Sequence, residues 1–269
     1  MQIKEPLLIA ASLFTIGMAS ADNQGGHFGH QMSSNDDKKF TFSFNAGIGI
    51  PFGDFAKTSA LGGTNAMPWT DSTHANGFAN KGFHFDVGVS WRFTDYIGVA
   101  ARIGGTICSF NASAYQSAYP TVPNIPANQE TVMANGSHYV GEYFIGPMFH
   151  IPAGDQFSFD IKLMAGIVSE QYPDWTISST DTLSHAAEEY KYAHASDFGY
   201  CVSAMARYKL DANIGLSLTA SYVGATITLP GWVYSNTTPS GFTYSEFSFQ
   251  DRTMSLSMLT ITGGLTISF

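Results

Sequence analysis

Cysteine is nearly absent from this chain. Cys108 and Cys201 are the two in 269 residues, and two thiols define no disulfide framework. Charge is scarce as well, at 12% of residues, and it leans acidic: 21 Asp and Glu against 12 Lys and Arg, a formal net charge of −9. That excludes a nucleic-acid partner gripped through a basic surface. No segment offers about eighteen consecutive apolar residues, so no helical membrane span is expected. The exclusion stops at helices, because a barrel strand shows only alternate residues to lipid. What the chain does have is glycine (27 residues) and aromatic side chains (14%), with a mean hydropathy close to zero. One domain suits this length.

The N-terminus reads as an export signal over residues 1–21. Lys4 supplies the charged start, with Glu5 beside it. Residues 7–18 form an apolar stretch too short to cross a bilayer as a helix, and Ala19-Ser20-Ala21 is a small-x-small cleavage site. The mature chain is expected to start at Asp22, and no Cys follows to accept a lipid anchor. Residues 22–39 are polar and Gly-rich without periodicity, as expected of a flexible periplasmic lead-in. His27 and His30 within it read as solvated. Nothing in the sequence calls for a metal or a cofactor.

From Phe40 to the end the chain alternates. Phe40, Phe42, Phe44, Ala46, Ile48 and Ile50 are separated by Thr41, Ser43, Asn45, Gly47 and Gly49. A period of two makes a strand with one apolar and one polar face. The same pattern recurs over 82–93, 96–110, 138–151, 156–170, 196–210, 214–222 and 254–269, giving eight strands. Pro147 interrupts the fourth, where a bulge or a local break in the ladder is expected. The residues 259–269 alternate Leu259, Ile261, Gly263, Leu265, Ile267 and Phe269 against Thr260, Thr262, Gly264, Thr266 and Ser268.

The connections alternate in kind. Tight turns fall near Asp95, Gly154 and Asp211; long connections fill 53–81, 111–137, 171–195 and 229–253. Short periplasmic turns, long outer loops and an even strand count are the plan of a transmembrane β-barrel. A soluble eight-stranded barrel is the competing architecture, but it would keep its bulky apolar face inside. Here Gly, Ser and Thr crowd the polar face, which suits a lumen, and the bulky face suits lipid. Two aromatic girdles are expected. Phe40, Phe42, Trp91, Phe93, Tyr96, Phe149, Phe157, Tyr208 and Phe269 would form one, and Phe52, Phe83, Phe85, Tyr139, Tyr143, Phe198, Tyr200 and Tyr222 the other.

Over about residues 40–269 the chain resembles the small eight-stranded bacterial outer-membrane barrels, such as the outer membrane protein A transmembrane domain, outer membrane protein X and the opacity-type surface proteins. The resemblance is one of architecture together with the terminal aromatic strand. It implies an all-β, antiparallel up-and-down transmembrane barrel in the outer membrane. It also implies that Leu265, Ile267 and Phe269 act as the insertion signal read by the barrel-assembly machinery. The partners implied are outer-membrane lipid and lipopolysaccharide. The chain ends with the barrel, so a cell-wall-binding domain is not expected.

A lumen this narrow is just wide enough for side chains to fill. Its face offers Asp86, Glu142 and Asp160 against Arg92, Arg102, Lys162 and Arg207, which suggests an ion-paired plug, since an unpaired buried charge is costly. The other reading of the same residues is a gated narrow porin. A hydrophobic conduit fits poorly with a charged lumen. An outer-membrane lipid- or peptide-processing enzyme is a third reading, with His84, Asp86, His138 and Glu142 near the outer rim as acid–base candidates, but no nucleophile is singled out and no catalytic residue is assigned. Cys108 and Cys201 lie on the third and sixth strands, too far apart to pair.

The loops are the remaining place for function. The third is acidic (Glu170, Asp174, Asp181, Glu188 and Glu189), with a spacing that matches no calcium cage. The fourth is aromatic: Trp232, Tyr234, Phe242, Tyr244, Phe247 and Phe249. Alternation around Tyr244 suggests that the last two strands continue outward as a hairpin able to meet an extracellular protein or surface ligand. The alternative is that these rings cap the barrel mouth.

Overall fold

The computed structural model describes residues 39–58, 76–118, 130–134, 136–179, 187–190, 194–230, 233–237, 243–248 and 251–269. The expected export signal and nearly all of the lead-in lie outside these residues. Eight long strands close a barrel: β1 (Phe40–Phe52), β2 (Ala79–Arg92), β3 (Ile97–Phe110), β5 (Ser137–Ala153), β6 (Phe157–Gln171), β9 (His194–Lys209), β10 (Ile214–Leu229) and β13 (Arg252–Ser268). Each pairs antiparallel with its neighbour in the barrel, and β1 pairs with β13. Phe40 and Phe269 seal that junction, the Phe269 N–H donating to the Phe40 carbonyl at 2.9 Å.

Following the ladders once around, Phe42 faces Val89, then Ala101, Ile145, Ala165, Tyr200, Gly224 and Ser257, and Ser257 faces Phe52. The circuit climbs from position 42 to position 52, a stagger of about ten residues, which for eight strands sets a tilt of about 40° and a backbone radius of about 8 Å. Side chains alone can fill a tube of that width.

The barrel is inside-out. Ile145 is 62% exposed and Leu218 61%, whereas Glu142 and Cys201 are sealed. Apolar side chains left in water at such exposure would each forfeit about 1.5–3 kcal/mol; against lipid they forfeit nothing. The exterior rings assemble as two bands. Phe40 stacks on Trp91, which meets Phe93 edge-on, and Phe42 meets Phe269; at the other end Tyr222 packs against Phe52 and Tyr200. Phe42 and Phe52 lie on one strand about 25 Å apart along the axis, the height of a barrel's apolar band. Among the described residues no helix is long and apolar enough to cross a membrane.

Three tight turns and both strand termini share one end, the turn end; Gly154, at φ +89°, makes one of these turns. At Pro147 the ladder to β6 breaks without shifting register: Ile145 faces Ala165, pairing resumes at Met148 opposite Lys162, and the ladder to β3 runs through unbroken. The proline therefore sits at a break and not at a bulge.

Two features depart from the sequence reading. β10 runs on to Leu229, well past Tyr222. The long connections also build a second sheet from β4 (Glu130–Ala134), β7 (Trp175–Ser179), β8 (Ala187–Tyr190), β11 (Val233–Thr237) and β12 (Thr243–Ser248), in the order β12-β11-β8-β7-β4. β11 and β12 do form the expected antiparallel hairpin, but it belongs to this sheet and does not prolong the barrel. A short helix, α1 (Ala112–Ala118), opens the β3–β4 connection; Asn111 caps it, its Oδ1 accepting from the Ala114 N–H at 3.0 Å.

Candidate functional site: the lumen and its outer cap

Every inward residue is placed by the two-residue period, so the lumen's chemistry is stacked in layers from the turn end to the loop end. Nearest the turn end, His150 and Asp160 face each other across β5 and β6, and Arg207 reaches them diagonally from β9. Asp160 Oδ1 accepts from Arg207 Nη2 at 2.9 Å and lies 2.7 Å from His150 Nδ1. The other guanidinium arm, Nη1, donates to Thr41 Oγ1 on β1 at 3.2 Å. One arginine thus ties three strands to the first.

The middle layer is crossed by two hydrogen-bonded spans. Arg102 pairs with Glu142 through Nη2, lies over the Phe144 ring at 5.8 Å, and donates from Nη1 to Ser221 Oγ at 3.0 Å on the far wall. Ser221 in turn donates to Ser203 at 3.0 Å. The second span runs from Ser217 to Asn45 Oδ1 (2.8 Å) and from Asn45 Nδ2 to Asp86 Oδ1 (2.8 Å). It continues from Asp86 Oδ2 to His84 Nε2 (3.3 Å) and from His84 Nδ1 to Thr106 Oγ1 (2.7 Å). Asn45 can reach over β13 because Gly264 lies beneath it; a Cβ there would collide with the amide oxygen.

Towards the loop end the lumen turns apolar. Val223, Ile227 and Leu229 of β10 and Met254, Leu256 and Met258 of β13 are sealed inside. Above them lies an aromatic cluster, the cap: Phe55, from the 3-10 turn Gly53–Phe55, with Phe78, Phe110, Tyr115 and Tyr172, all buried. Tyr172 Oη donates to the carbonyls of Asn76 (2.8 Å) and Gly77 (3.3 Å). Gly77 is obligatory, since a Cβ would strike the Phe55 carbonyl, and Phe78 beside it takes a left-handed φ of 51°. Beneath the cap His138 Nδ1 lies 2.9 Å from Glu170 Oε1, both side chains sealed, with the rings of Phe55 and Tyr172 set edge-on to the imidazole at 5.2 and 4.7 Å.

The charged residues read from the sequence therefore separate. Arg102 with Glu142 and Arg207 with Asp160 are direct pairs. Asp86 is held by Asn45 and His84 and not by a guanidinium. Lys162 is buried, yet among the described residues its one hydrogen-bond contact is Met205 Sδ at 4.0 Å. Arg92 is half-buried at the turn end. Three of the acid–base candidates gather, His84 with Asp86 and Glu142, whereas His138 pairs with Glu170 in a different layer, and all of these side chains are buried. Thr106–His84–Asp86 is a hydroxyl–imidazole–carboxylate chain in form, with all three side chains buried. Cys108 and Cys201 are free and buried.

Of the loop aromatics, Tyr234 faces Phe247 across the β11–β12 hairpin, and Tyr244 faces Asn236. Trp232, Phe242 and Phe249 lie outside the described residues. Leu265 and Phe269 are exposed on the barrel's outer face, Phe269 in the aromatic band at the turn end. The cap residues Phe55, Phe78, Tyr115 and Tyr172 escaped the sequence reading because they lie in connections without periodicity. The apolar half of the lumen was legible in principle: continuing the inward parity of β10 past Ser221 gives Val223, Ala225, Ile227 and Leu229.

No protein-family description matches the chain, and no curated protein sequence matches it. Among solved structures its fold is similar to a major outer membrane protein from Thermus thermophilus (12% identity, 86% of this chain and 99% of that one, TM-score 0.45). It is also similar to Neisserial surface protein A (10%, 86% and 97%, 0.40) and to Ail, the attachment invasion locus protein of Yersinia pestis (9%, 86% and 97%, 0.38). The closed ladder and the apolar exterior define the class themselves: a small eight-stranded transmembrane β-barrel of the outer-membrane type.

Proposed function

We propose that this chain is an exported, integral outer-membrane barrel that works through its outer surface, in a structural, adhesion or binding role, while its lumen stays closed. Lipid and lipopolysaccharide surround it, the barrel-assembly machinery inserts it through the strand carrying Leu265, Ile267 and Phe269, and an extracellular protein or surface ligand meets its loops. The carrying observation is the filling of the lumen: two ion pairs and two hydrogen-bonded spans below, an apolar layer and an aromatic cap above. The pairing of three long connections into one sheet supports the outer surface as the working part, because ordered loop backbone presents fixed contacts. The aromatic positions on β11 and β12 are the first candidates for contact.

A narrow porin is the second reading. It is favoured by the hydroxyl and glycine wall formed by β1, β10 and β13, where Thr219, Ser221, Thr260 and Thr262 leave the large side chains of the opposite wall to cross the tube alone. An enzyme is the weakest reading, since the histidine–carboxylate pairs described in the lumen are buried.

Planar-bilayer conductance of the refolded chain separates the first two. The closed reading expects a silent membrane from folded protein, with brief openings in Arg102→Ala and Glu142→Ala. Steady channels from the unaltered chain would overturn it and make the same charges selectivity elements. For the loops, replacing residues 231–250 with a short turn should leave heat-modifiable gel migration intact while abolishing adherence of cells displaying the chain to immobilised protein and glycan arrays. Adherence unchanged by the replacement would remove this hairpin from the proposal.

A further inference from the structure

The lumen holds three cations and three carboxylates below the apolar layer: Arg102, Lys162 and Arg207 against Asp86, Glu142 and Asp160. Equal numbers do not make equal pairs. Glu142 belongs to Arg102, and Asp160 Oδ1 is shared by Arg207 and His150. Asp86 has one oxygen bound by Asn45 and the other facing His84 Nε2. Lys162, 8% exposed, is left with no carboxylate within 4.0 Å among the described residues, and its hydrogen-bond contact is a thioether sulfur. An ammonium group carries three donors and is among the costliest groups to bury without an anion.

The place to which this ammonium leans is also short of partners. Met205, which it touches, lies on β9 directly opposite Thr219 of β10, and Thr219 lies directly opposite Thr262 of β13. Thr219 and Thr262 are 4% and 1% exposed, and the hydroxyl of each is buried without a hydrogen-bond partner. Two adjacent unsatisfied hydroxyls, reached across Met205 from an ammonium that touches no carboxylate, are donors seeking an acceptor. The unpartnered acceptors of the lumen, Glu142 Oε1 and Glu170 Oε2, belong to other layers, beside His84 and His138 respectively. The charges acting on Lys162 are those of Asp160, Arg207, Asp86 and Arg102; neither carboxylate touches it, since Asp160 is held by Arg207 and His150 and Asp86 by Asn45 and His84.

We propose that Lys162, Thr219 and Thr262 form a binding site inside the barrel for a small monovalent anion, of which chloride is the fitting example. The ammonium supplies charge, the hydroxyls supply two further donors, and the small side chains of the β10–β13 wall supply the space. The anion completes a layer that the chain's own groups leave incomplete, and the inference holds for a closed or a conducting lumen alike.

The test uses the full chain refolded in micelles, with folding checked by heat-modifiable migration. Unfolding midpoints are measured in sodium chloride and in sodium gluconate, too large an anion for the site, at equal ionic strength. The wild-type chain is expected to be stabilised by chloride, its folded-to-unfolded ratio rising about tenfold for each tenfold increase in chloride above the dissociation constant. Lys162→Met keeps the length of the side chain without its charge and should lose the response. Thr219→Val with Thr262→Val should weaken it, and serves alone if the methionine variant does not fold. Crystals grown in bromide should show an anomalous peak between Lys162 Nζ and the two hydroxyls. Equal chloride responses in wild type and folded variants, or a Lys162 ammonium swung onto Asp160 with no bromide beside it, would overturn the proposal.

Discussion

Between His150 and Glu142 the lumen is held by directed bonds: guanidinium to carboxylate, amide to carboxylate, hydroxyl to hydroxyl, each fixing a donor against an acceptor on another strand. From Val223 to the cap it is held mainly by methionines, branched aliphatics and rings that have volume but no direction, with the His138–Glu170 pair and the Tyr172 hydroxyl as directed contacts. The two halves occupy the same tube and are built by the same alternation. They differ in what a single change does to them. In the lower half most groups, Lys162, Thr219 and Thr262 apart, are held by a particular partner, so removing one strands the other. In the upper half the neighbours are interchangeable, so a truncation leaves a cavity and nothing more specific.

The sharpest break of that contrast is Glu142→Leu. It leaves Arg102 buried without a carboxylate and should cost about 3–5 kcal/mol, read as the guanidinium unfolding midpoint of the refolded barrel. Arg102→Met together with Glu142→Leu should recover most of that loss, because a well-packed apolar pair replaces an ion pair at little net cost. Leu256→Ala in the upper half should cost about 2–5 kcal/mol. Adding Ile227→Ala, diagonally across the β10–β13 ladder on the same inward face, should deepen the loss and not relieve it. A double variant that failed to recover in the lower half, or recovered in the upper, would erase the distinction.

Adjacent glycines sharpen it further. Gly264 points into the polar half, where a methyl would meet Asn45 and the Phe44 carbonyl; Gly263 points outward, where the nearest atom to an added methyl is the Ser217 carbonyl at 3.9 Å. Gly264→Ala should cost about 1–3 kcal/mol by overpacking and by parting Asn45 from Ser217. Gly263→Ala should shift the midpoint by no more than about 0.5 kcal/mol. Equal effects would mean that the span through Asn45 contributes little.

The same division explains what the residues disclose before any coordinates exist. The barrel was legible because a period of two over eight segments fixes which side chains face lipid, and Phe44, Ile145 and Leu218 carry that signal wherever the strands pair. The pairs inside it were legible only as a pool of charges. Which carboxylate meets which cation depends on the stagger, and the stagger depends on connections that carry no periodic signal. Hence Asp86 went to Asn45 and His84, and Lys162 to no carboxylate among the described residues. The outer sheet was hidden for a related reason: β4, β7, β8, β11 and β12 are four to six residues long, too short for alternation to separate from chance.

The smallest effect concerns the cap. Tyr172→Phe keeps the ring against His138 and Phe110 but removes the hydroxyl that donates to the carbonyls of Asn76 and Gly77. One lost hydrogen bond should cost about 0.5–1.5 kcal/mol. If the cap opens as a unit of its own, that cost falls on local opening and not on global unfolding. Amide exchange in residues 53–58 and 76–78 should then quicken roughly two- to tenfold while β1, β10 and β13 keep their protection. Quickening shared by the barrel strands would show instead that cap and barrel open together, so that the aromatic layer belongs to the barrel's own cooperative core.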